Sequence, residues 1–357
     1  MPKVLPATRH FRLAQALRRK IQRMEVGQPL PTVLELRKQY KCSQATVERA
    51  LDRLRREGLI ERPAGQLRLT VAATSDPALF RVAMIRPDYP STTFEELSRA
   101  IIDAGKKRNW AFELESYRHL KGLQLARVIG DADGAVLLPN SEEFPAHLLN
   151  ALRRPRKPLV IIQDPPPGLG ISSVRIDDEQ VGRMAVEYLA QIGHRRILLL
   201  ISEPHSPSNN LRSAGWREAM EKLGEQHLDE LVVDPNLKPF SNSLMATYEY
   251  FSRWLDQPHP HFTAVFCPAW TGAAAALRAL REHDLHVPQR VSLVAHGGEG
   301  SIAPFLYPEL TAIETDIPAY AEKVVDVLEK HLQGDGRIHN LAIESQLVVR
   351  ATTASLG

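Results

Sequence analysis

LPTVLELRKQYKCSQATVERALDRLRREGLIERPAGQLRL, residues 30–69, decides the fold of the first part of the chain. Ser43 is a natural N-cap, because its hydroxyl can accept a hydrogen bond from a free N–H of the first helical turn. Apolar residues at helical spacing follow it, and Gly58 supplies the left-handed residue that ends a helix. Leu59-Ile60 can then pair with Leu67–Leu69 across a tight turn. The pattern predicts a helix-turn-helix with a β-wing, whose second helix suits a DNA major groove.

The same stretch resembles the GntR-type winged helix-turn-helix family over roughly residues 8–72. The resemblance rests on Leu30-Pro31, Ser43, Thr46-Val47, Ala50-Leu51, Leu54, Glu57-Gly58-Leu59-Ile60 and the glycine of the wing. The family often has arginine at the positions of Leu34, Gln44 and Glu48, so DNA binding is expected without the family's usual operator sequence. The bland alternative is a surface helical hairpin with solvated charges. The residues expected to contact DNA are Thr32, Ser43, Gln44, Thr46, Arg49, Arg53, Gly65 and Gln66.

The net charge of +3 hides a strong asymmetry. Residues 1–75 contain 16 Lys or Arg and 6 Asp or Glu, whereas the remaining residues carry 29 basic and 36 acidic side chains. A basic module on an acidic body favours a polyanionic partner for the first part only. In the first helix, expected from His10 to Arg23, Arg18 and Arg19 are predicted to hold phosphates rather than to read bases. The alternative is that these basic side chains are solvated and hold no phosphate.

Several function classes are disfavoured by what the sequence contains. The two cysteines, Cys42 and Cys267, are far apart and are expected to be reduced and structural. His259-Pro260-His261 brings two imidazoles together, but a proline-rich surface loop is the favoured interpretation over a metal site. We find no nucleophile elbow and no Gly-rich phosphate loop, so neither an enzyme nor a cofactor is predicted. The absence of an apolar leader or a membrane span makes the cytoplasm the expected location.

From Phe80 onward, apolar strand patterns alternate with amphipathic helical patterns. Strands are predicted at residues 81–85, 134–138, 159–162, 197–201, 231–233, 264–266 and 291–295, and helices at 93–108, 181–192, 212–223, 243–255 and 272–283. This alternation is typical of parallel sheets buried on both faces, here in two doubly wound lobes. We therefore expect a winged helix-turn-helix domain at 1–72, a linker at 73–79 and a two-lobed effector-binding and dimerisation domain at 80–357.

The second part of the chain resembles the effector-binding domain of lac-repressor-type regulators, which is similar to type I periplasmic sugar-binding proteins. The motifs include Asp133–Val136, Gly193–Ile197, Arg212–Trp216 and Pro308–Thr311. The resemblance implies two lobes joined by three crossovers, near Asp164, Glu299 and Gly334. It also implies that a ligand in the cleft changes the lobe angle, and in a dimer the spacing of the DNA modules. The combination is similar to arabinose-repressor-type hybrids.

Arg212 matches the family's arginine for polyol or carboxylate groups, with an ion pair as the alternative. Ser208 lies four residues earlier and could add a hydroxyl. Two usual anchors of the sugar binders are replaced, by Ala269-Trp270 and by Gly297-Gly298. Trp270 either stacks on an apolar ring face or simply fills the cleft. The other candidate effector residues are Gln163, Asp164, Asp88, Phe94, Phe240, His296 and Thr315.

The sequence thus predicts a sequence-specific transcriptional regulator, expected to repress, that binds a double-stranded DNA operator as a homodimer. A small sugar-like or related polar metabolite between the lobes would control it. The alternative is a DNA-binding regulator whose cleft has lost its ligand and which responds to oligomerisation or a protein partner. A solute-binding protein is disfavoured by the basic N-terminal module, and an enzyme by the lack of catalytic motifs.

Overall fold

The computed structural model describes residues 9–21, 23–63, 65–72, 78–89, 91–166, 168–298 and 300–356, except for the side chains at positions 11, 12, 15, 19 and 56. Most of the expected linker, residues 73–77, lies outside the described residues. The same holds for Glu299 and for the side chain of Arg19. The domain boundaries at 72 and 80 therefore stay predictions.

The N-terminal unit packs three helices against a small β-ribbon. Its elements are α1 (Arg9–Ile21), α2 (Val33–Tyr40), α3 (Gln44–Arg56), β1 (Ile60–Glu61) and β2 (Thr70–Val71). The predicted apolar face of α3 is buried in one cluster with α1, and Gly58 is left-handed, with a φ of 71°. The wing differs from the prediction, because Ile60 pairs with Val71 rather than with Leu67–Leu69. Leu67 is 94% exposed, whereas Thr70 and Val71 are buried.

The body consists of alternating strands and helices. Its strands are β3 (Phe80–Pro87), β4 (Trp110–Tyr117), β5 (Gly134–Leu137), β6 (Leu159–Ile162), β7 (Ser172–Ile176), β8 (Ile197–Leu200), β9 (Val232–Val233), β10 (Ala264–Cys267), β11 (Ser292–His296), β12 (Thr311–Thr315), β13 (Asn340–Ile343) and β14 (Ser345–Val348). Its helices are α4 (Thr92–Lys106), α5 (Leu125–Ile129), α6 (Ala146–Arg153), α7 (Asp178–Gln191), α8 (Pro207–Lys222), α9 (Ser243–Leu255), α10 (Trp270–Glu282) and α11 (Ile317–Leu332).

Two six-stranded sheets confirm the prediction of two doubly wound lobes. The first lobe has the strand order β13-β7-β6-β5-β3-β4, with every pair parallel. The second has the order β14-β12-β11-β10-β8-β9 and is parallel except for the antiparallel pair β12–β14. Both faces of each sheet are covered, which explains why the strands read as continuous apolar runs.

The chain crosses between the lobes three times, but the predicted crossing points are wrong. The first crossing follows β7, because β7 still pairs with β6 of the first lobe and α7 packs on α8 of the second. The second lies between β12 and α11, since α11 packs on α4. The third is at Glu344, between β13 and β14. The loop at Asp164 and the turn at Gly334 both lie inside the first lobe, so neither is a crossing.

Candidate functional site

The N-terminus of α3 has the geometry expected of a recognition helix. Ser43 caps it, with its hydroxyl accepting the Thr46 N–H at 3.3 Å. The opposite face is buried, so the exposed face presents Gln44 and Arg49 to solvent. The Gln44 amide donates to the Glu48 carboxylate at 2.8 Å. Gln44 would therefore have to exchange an internal hydrogen bond for a base edge when it reads DNA.

Three further predicted DNA contacts lie outside α3, at the start of α2 and in the wing. Thr32 begins α2 and forms a capping box with Glu35, so its hydroxyl already accepts the Glu35 N–H at 3.3 Å. Gly65 has a φ of 80° and lies with Gln66 at the exposed tip of the wing. A left-handed residue at this point lets the wing turn tightly without a side-chain clash.

One arginine of α1, Arg18, and one of α3, Arg53, contact the body. Arg18 is 1% exposed, pairs with Glu57 and donates to the carbonyl of Leu79. The predicted phosphate contact of Arg18 is therefore wrong for this arrangement. Arg53 donates to Glu57 at 2.9 Å and contacts the carboxylate of Asp133, at the start of β5. Its predicted DNA contact requires that this ion pair be given up.

Sequence reasoning missed a basic pocket beside the start of α3. The pocket has a volume of about 370 Å³ and is lined by Arg9, Leu34, Arg37, Lys38, Lys41, Cys42 and Ser43. In the part of the chain that the structure describes, none of its four cations is in an ion pair. The signal was present in the sequence, because three of these cations lie between Arg37 and Lys41. They supply positive charge that the family more often places at Leu34, Gln44 and Glu48.

The second candidate site is the cleft between the two lobes, at the carboxyl ends of their strands. It has a volume of about 920 Å³. Eight of the ten predicted effector residues line it, namely Asp88, Phe94, Gln163, Ser208, Arg212, Phe240, Trp270 and His296. Asp164 does not line it and instead pairs with Arg175 at 3.0 Å. Thr315 does not either, because it is buried with its hydroxyl 2.9 Å from that of Ser345.

Arg212 is held at the cleft wall by two hydrogen bonds. Its Nε donates to Asp178 at 2.7 Å and its Nη1 donates to the carbonyl of Pro268 at 2.8 Å. Two glycines allow α7 and α8 to pack closely. A Cβ on Gly182 of α7 would lie 2.0 Å from the carbonyl oxygen of Arg212, and a Cβ on Gly215 of α8 would lie 2.0 Å from the carbonyl oxygen of Glu179, so neither position has room for a side chain. The Arg212–Asp178 pair therefore depends on backbone-to-backbone contact of α7 and α8.

His296 ends β11 and is the most unusual polar group of the cleft. It is 5% exposed, and its Nε2 makes no hydrogen bond within the described ranges. Burial, and then the charge of Arg212, hold the pKa of this imidazole well below its ordinary value. A neutral imidazole with an unpartnered buried nitrogen is costly, since such a group normally finds a partner. His296 also lines the cleft, so the unpartnered nitrogen belongs to a residue that borders the ligand space.

An aromatic cluster closes one side of the cleft across the two lobes. The ring of Tyr89 lies 5.8 Å from that of Phe94 and 5.6 Å from that of Phe240. Phe240 belongs to the loop before α9, has a φ of 68° and also contacts the ring of His119 at 4.8 Å. Because Phe240 comes from the second lobe and Tyr89 and His119 from the first, these rings join the lobes at the cleft mouth.

Several cleft residues were not predicted. The main ones are Tyr89, Asn140, Glu203, Thr271 and Tyr320. Asn140 and Glu203 follow β5 and β8 by three residues, so the rule that ligands bind beyond the carboxyl ends of strands could have found both. They add an amide and a carboxylate to a cleft whose usual anchors are replaced at Ala269 and Gly297.

Comparison with known proteins places both sites in a regulatory context. Residues 11–66 match the family described as bacterial regulatory proteins, gntR family, and residues 186–353 match the periplasmic binding protein-like domain. The HTH-type transcriptional repressor CytR of Escherichia coli strain K12 is 25% identical over 324 residues, which cover 88% of this chain and 90% of that protein.

Solved structures show the same architecture. A LacI family transcriptional regulator from Mycobacterium smegmatis superposes with a TM-score of 0.65 and 26% identity, covering 77% of this chain and 99% of that one. The complex of the transcriptional regulator CelR with cellobiose has a TM-score of 0.65 and 23% identity over 87% of this chain and 92% of its own, a likeness of fold. In the described part of the chain, no helix combines the length and apolarity needed to cross a bilayer.

Proposed function

We propose that this chain, a DNA-binding transcriptional regulator that joins a GntR-type module to a LacI-type effector domain, is a homodimeric repressor controlled by a sugar-like polar metabolite in the interlobe cleft. The single observation that carries this proposal is the cleft itself. It is concave and lies where doubly wound folds bind ligands. It is lined by His296, whose buried Nε2 makes no hydrogen bond within the described residues.

The lining of the cleft supports a polar ligand with some apolar surface. Hydroxyl, amide and charged groups alternate with the rings of Tyr89, Phe94, Phe240 and Trp270. Such a mixture suits a sugar, whose hydroxyls need hydrogen bonds and whose ring faces stack on aromatics. The cellobiose in the CelR complex is a ligand of this type in a protein of the same fold.

We expect the exposed face of α3 and the basic pocket to contact different parts of the DNA. Gln44 and Arg49 lie where side chains of a recognition helix reach base edges. Arg37, Lys38 and Lys41 lie beside the helix start, where phosphates of the backbone would be held. In this proposal the pocket supplies affinity and α3 supplies sequence choice.

A homodimer would place two such modules on a two-fold symmetric operator. The turn before β12 is the best surface for the contact between copies. Phe305 and Tyr307 are 80% and 93% exposed there, on the second lobe. Large aromatics at this exposure favour burial against a second copy.

The test is a thermal-shift screen with pentoses, hexoses, uronic acids, polyols, phosphosugars and nucleosides, followed by operator binding with each hit. A ligand at about 100 times its dissociation constant should add ~2.7 kcal/mol of stability. His296→Ala, which removes the orphaned nitrogen, should bind the hit more weakly than wild type. A folded, DNA-competent protein that responds to nothing would instead favour control by oligomerisation or a protein partner.

A further inference from the structure

We infer that the ligand of the interlobe cleft carries a protonated amine, which the carboxylate of Glu203 holds against the aromatic rings at Tyr89. The inference deepens the proposed function and rests on it. It changes the expected chemistry, because Arg212 alone suggested a ligand rich in hydroxyls or carboxylates.

Glu203 is a fixed carboxylate without a cation. Its Oε1 accepts the Thr271 hydroxyl at 2.6 Å and its Oε2 accepts the Ser243 hydroxyl at 2.7 Å. The side chain lines the cleft and is only partly exposed. Among the described residues no lysine, arginine or histidine forms an ion pair with it. Each oxygen keeps a further lone pair for a ligand donor.

Tyr89, Phe94 and Phe240 line the same cleft as Glu203. Tyr89 is half-buried, and its pKa is raised first by burial and then by the negative charge of Glu203, which lines the same cleft. The faces of aromatic rings attract cations. The guanidinium of Arg118 already lies 6.0 Å from the centre of the Phe240 ring. A carboxylate and aromatic rings that line one cavity form a combination that binds ammonium groups.

The charge balance of the cleft points the same way. Four carboxylates, of Asp88, Glu95, Asp178 and Glu203, line it, against the two guanidinium groups of Arg118 and Arg212. Because Arg212 is neutralised by Asp178, the innermost cation is not free to attract an anion. The cleft therefore carries an excess of negative charge, which raises the local concentration of cationic ligands.

His296 completes the arrangement without opposing it. Its imidazole stays neutral, because burial and the charge of Arg212 both lower its pKa, so it does not repel an ammonium group. Its Nε2 is buried and makes no hydrogen bond within the described residues, so a ring rotation on ligand binding would let it accept an N–H or O–H of the ligand, or donate to a ligand oxygen. An aminated sugar or aminated polyol offers both kinds of group and has a size suited to the cleft.

The experiment is isothermal titration with matched compounds. The probes are D-glucosamine, D-galactosamine and D-glucamine, each beside its neutral parent glucose, galactose or sorbitol, with N-acetylglucosamine as the acylated control. We expect at least one amine to bind and its neutral counterparts to bind about tenfold or more weakly, the loss expected when a charged hydrogen bond is removed.

Two variants assign the effect. Glu203→Gln keeps the shape and should lose the preference for the amine, while Glu221→Gln, at an exposed glutamate of α8, should keep it. If the neutral parents or the acylated control bind as well as the amines, or if Glu203→Gln keeps the preference, the amine assignment is overturned and ligand control survives. If no compound binds to folded protein, the amine assignment is overturned, and the wider thermal-shift panel decides whether the ligand-controlled function is overturned with it.

Discussion

Replacing Arg37, Lys38 and Lys41 together by glutamine should flatten the salt dependence of DNA binding. Each phosphate contact releases counterions and contributes about 0.9 to the slope of log K against log salt concentration. Three lost contacts per module would lower the slope by about 2.7, and a dimer with two modules on DNA would lose about twice that. The side chains are exposed and unpaired in the described structure, so stability should change by less than about 0.5 kcal/mol.

The assay is fluorescence anisotropy of operator and of random-sequence DNA at several salt concentrations. The change in slope should be the same for both DNAs, because phosphates carry no sequence information. A matched control replaces Arg253, Arg281 and Lys323, three exposed cations of the body, and should leave the slope unchanged. An unaltered slope in the pocket variant would refute the assignment of the pocket to the DNA backbone.

Cys42 offers an independent measurement in the same pocket. It is partly exposed and lines the pocket, whereas Cys267 is fully buried, so a thiol reagent should modify Cys42 first. DNA seated over the pocket should slow this reaction in the wild type. Equal rates with and without saturating DNA would contradict the proposed docking, whatever the salt dependence.

The remaining predictions concern the cleft, its acid sensitivity and the dimer. Phe240→Ala removes two ring contacts that join the lobes, each worth about 1 kcal/mol, so ligand should dissociate about thirtyfold faster by stopped flow. His296 stays neutral when folded but binds a proton near pH 6.5 when unfolded, so stability should fall below that pH by up to about 1.4 kcal/mol per pH unit. His296→Gln should lessen this loss in denaturation measured from pH 7 to 5, and an unchanged profile would contradict it. Tyr307→Asp should produce monomers by analytical ultracentrifugation, and an intact dimer would move the interface elsewhere.

Helices and strands could be predicted where the apolar residues follow a single helical or strand spacing. The helix at 243–255 and the strands at 159–162 and 264–266 follow the sequence pattern almost residue for residue. The strand Trp110–Tyr117 was missed because it lies at a sheet edge, where charged residues alternate with apolar ones. The crossing points were misplaced because the family resemblance located them only by position along the chain, whereas a crossing is defined by which sheet the next strand joins.

The residues that line the cleft could be predicted where the end of a strand or the family resemblance determines their position. Eight candidates lie there, but Asp164 and Thr315 do not, because each finds a partner from a distant segment, Arg175 or Ser345. The fate of Arg18 and Arg53 could not be predicted either. Both depend on how the N-terminal unit rests on the first lobe, and periodicity within a helix contains no information about that contact.

The close approach of α7 and α8 at Gly182 and Gly215 has a consequence for genetics. A selection for variants that still bind DNA but no longer respond to the ligand would be expected to return substitutions at these two positions, although neither lines the cleft. A methyl group at either site would force α7 and α8 apart and shift Arg212 relative to Asp178, while the DNA-binding module stays intact. Unresponsive alleles at these glycines would thus identify the helix packing that positions Arg212 rather than residues that contact the ligand.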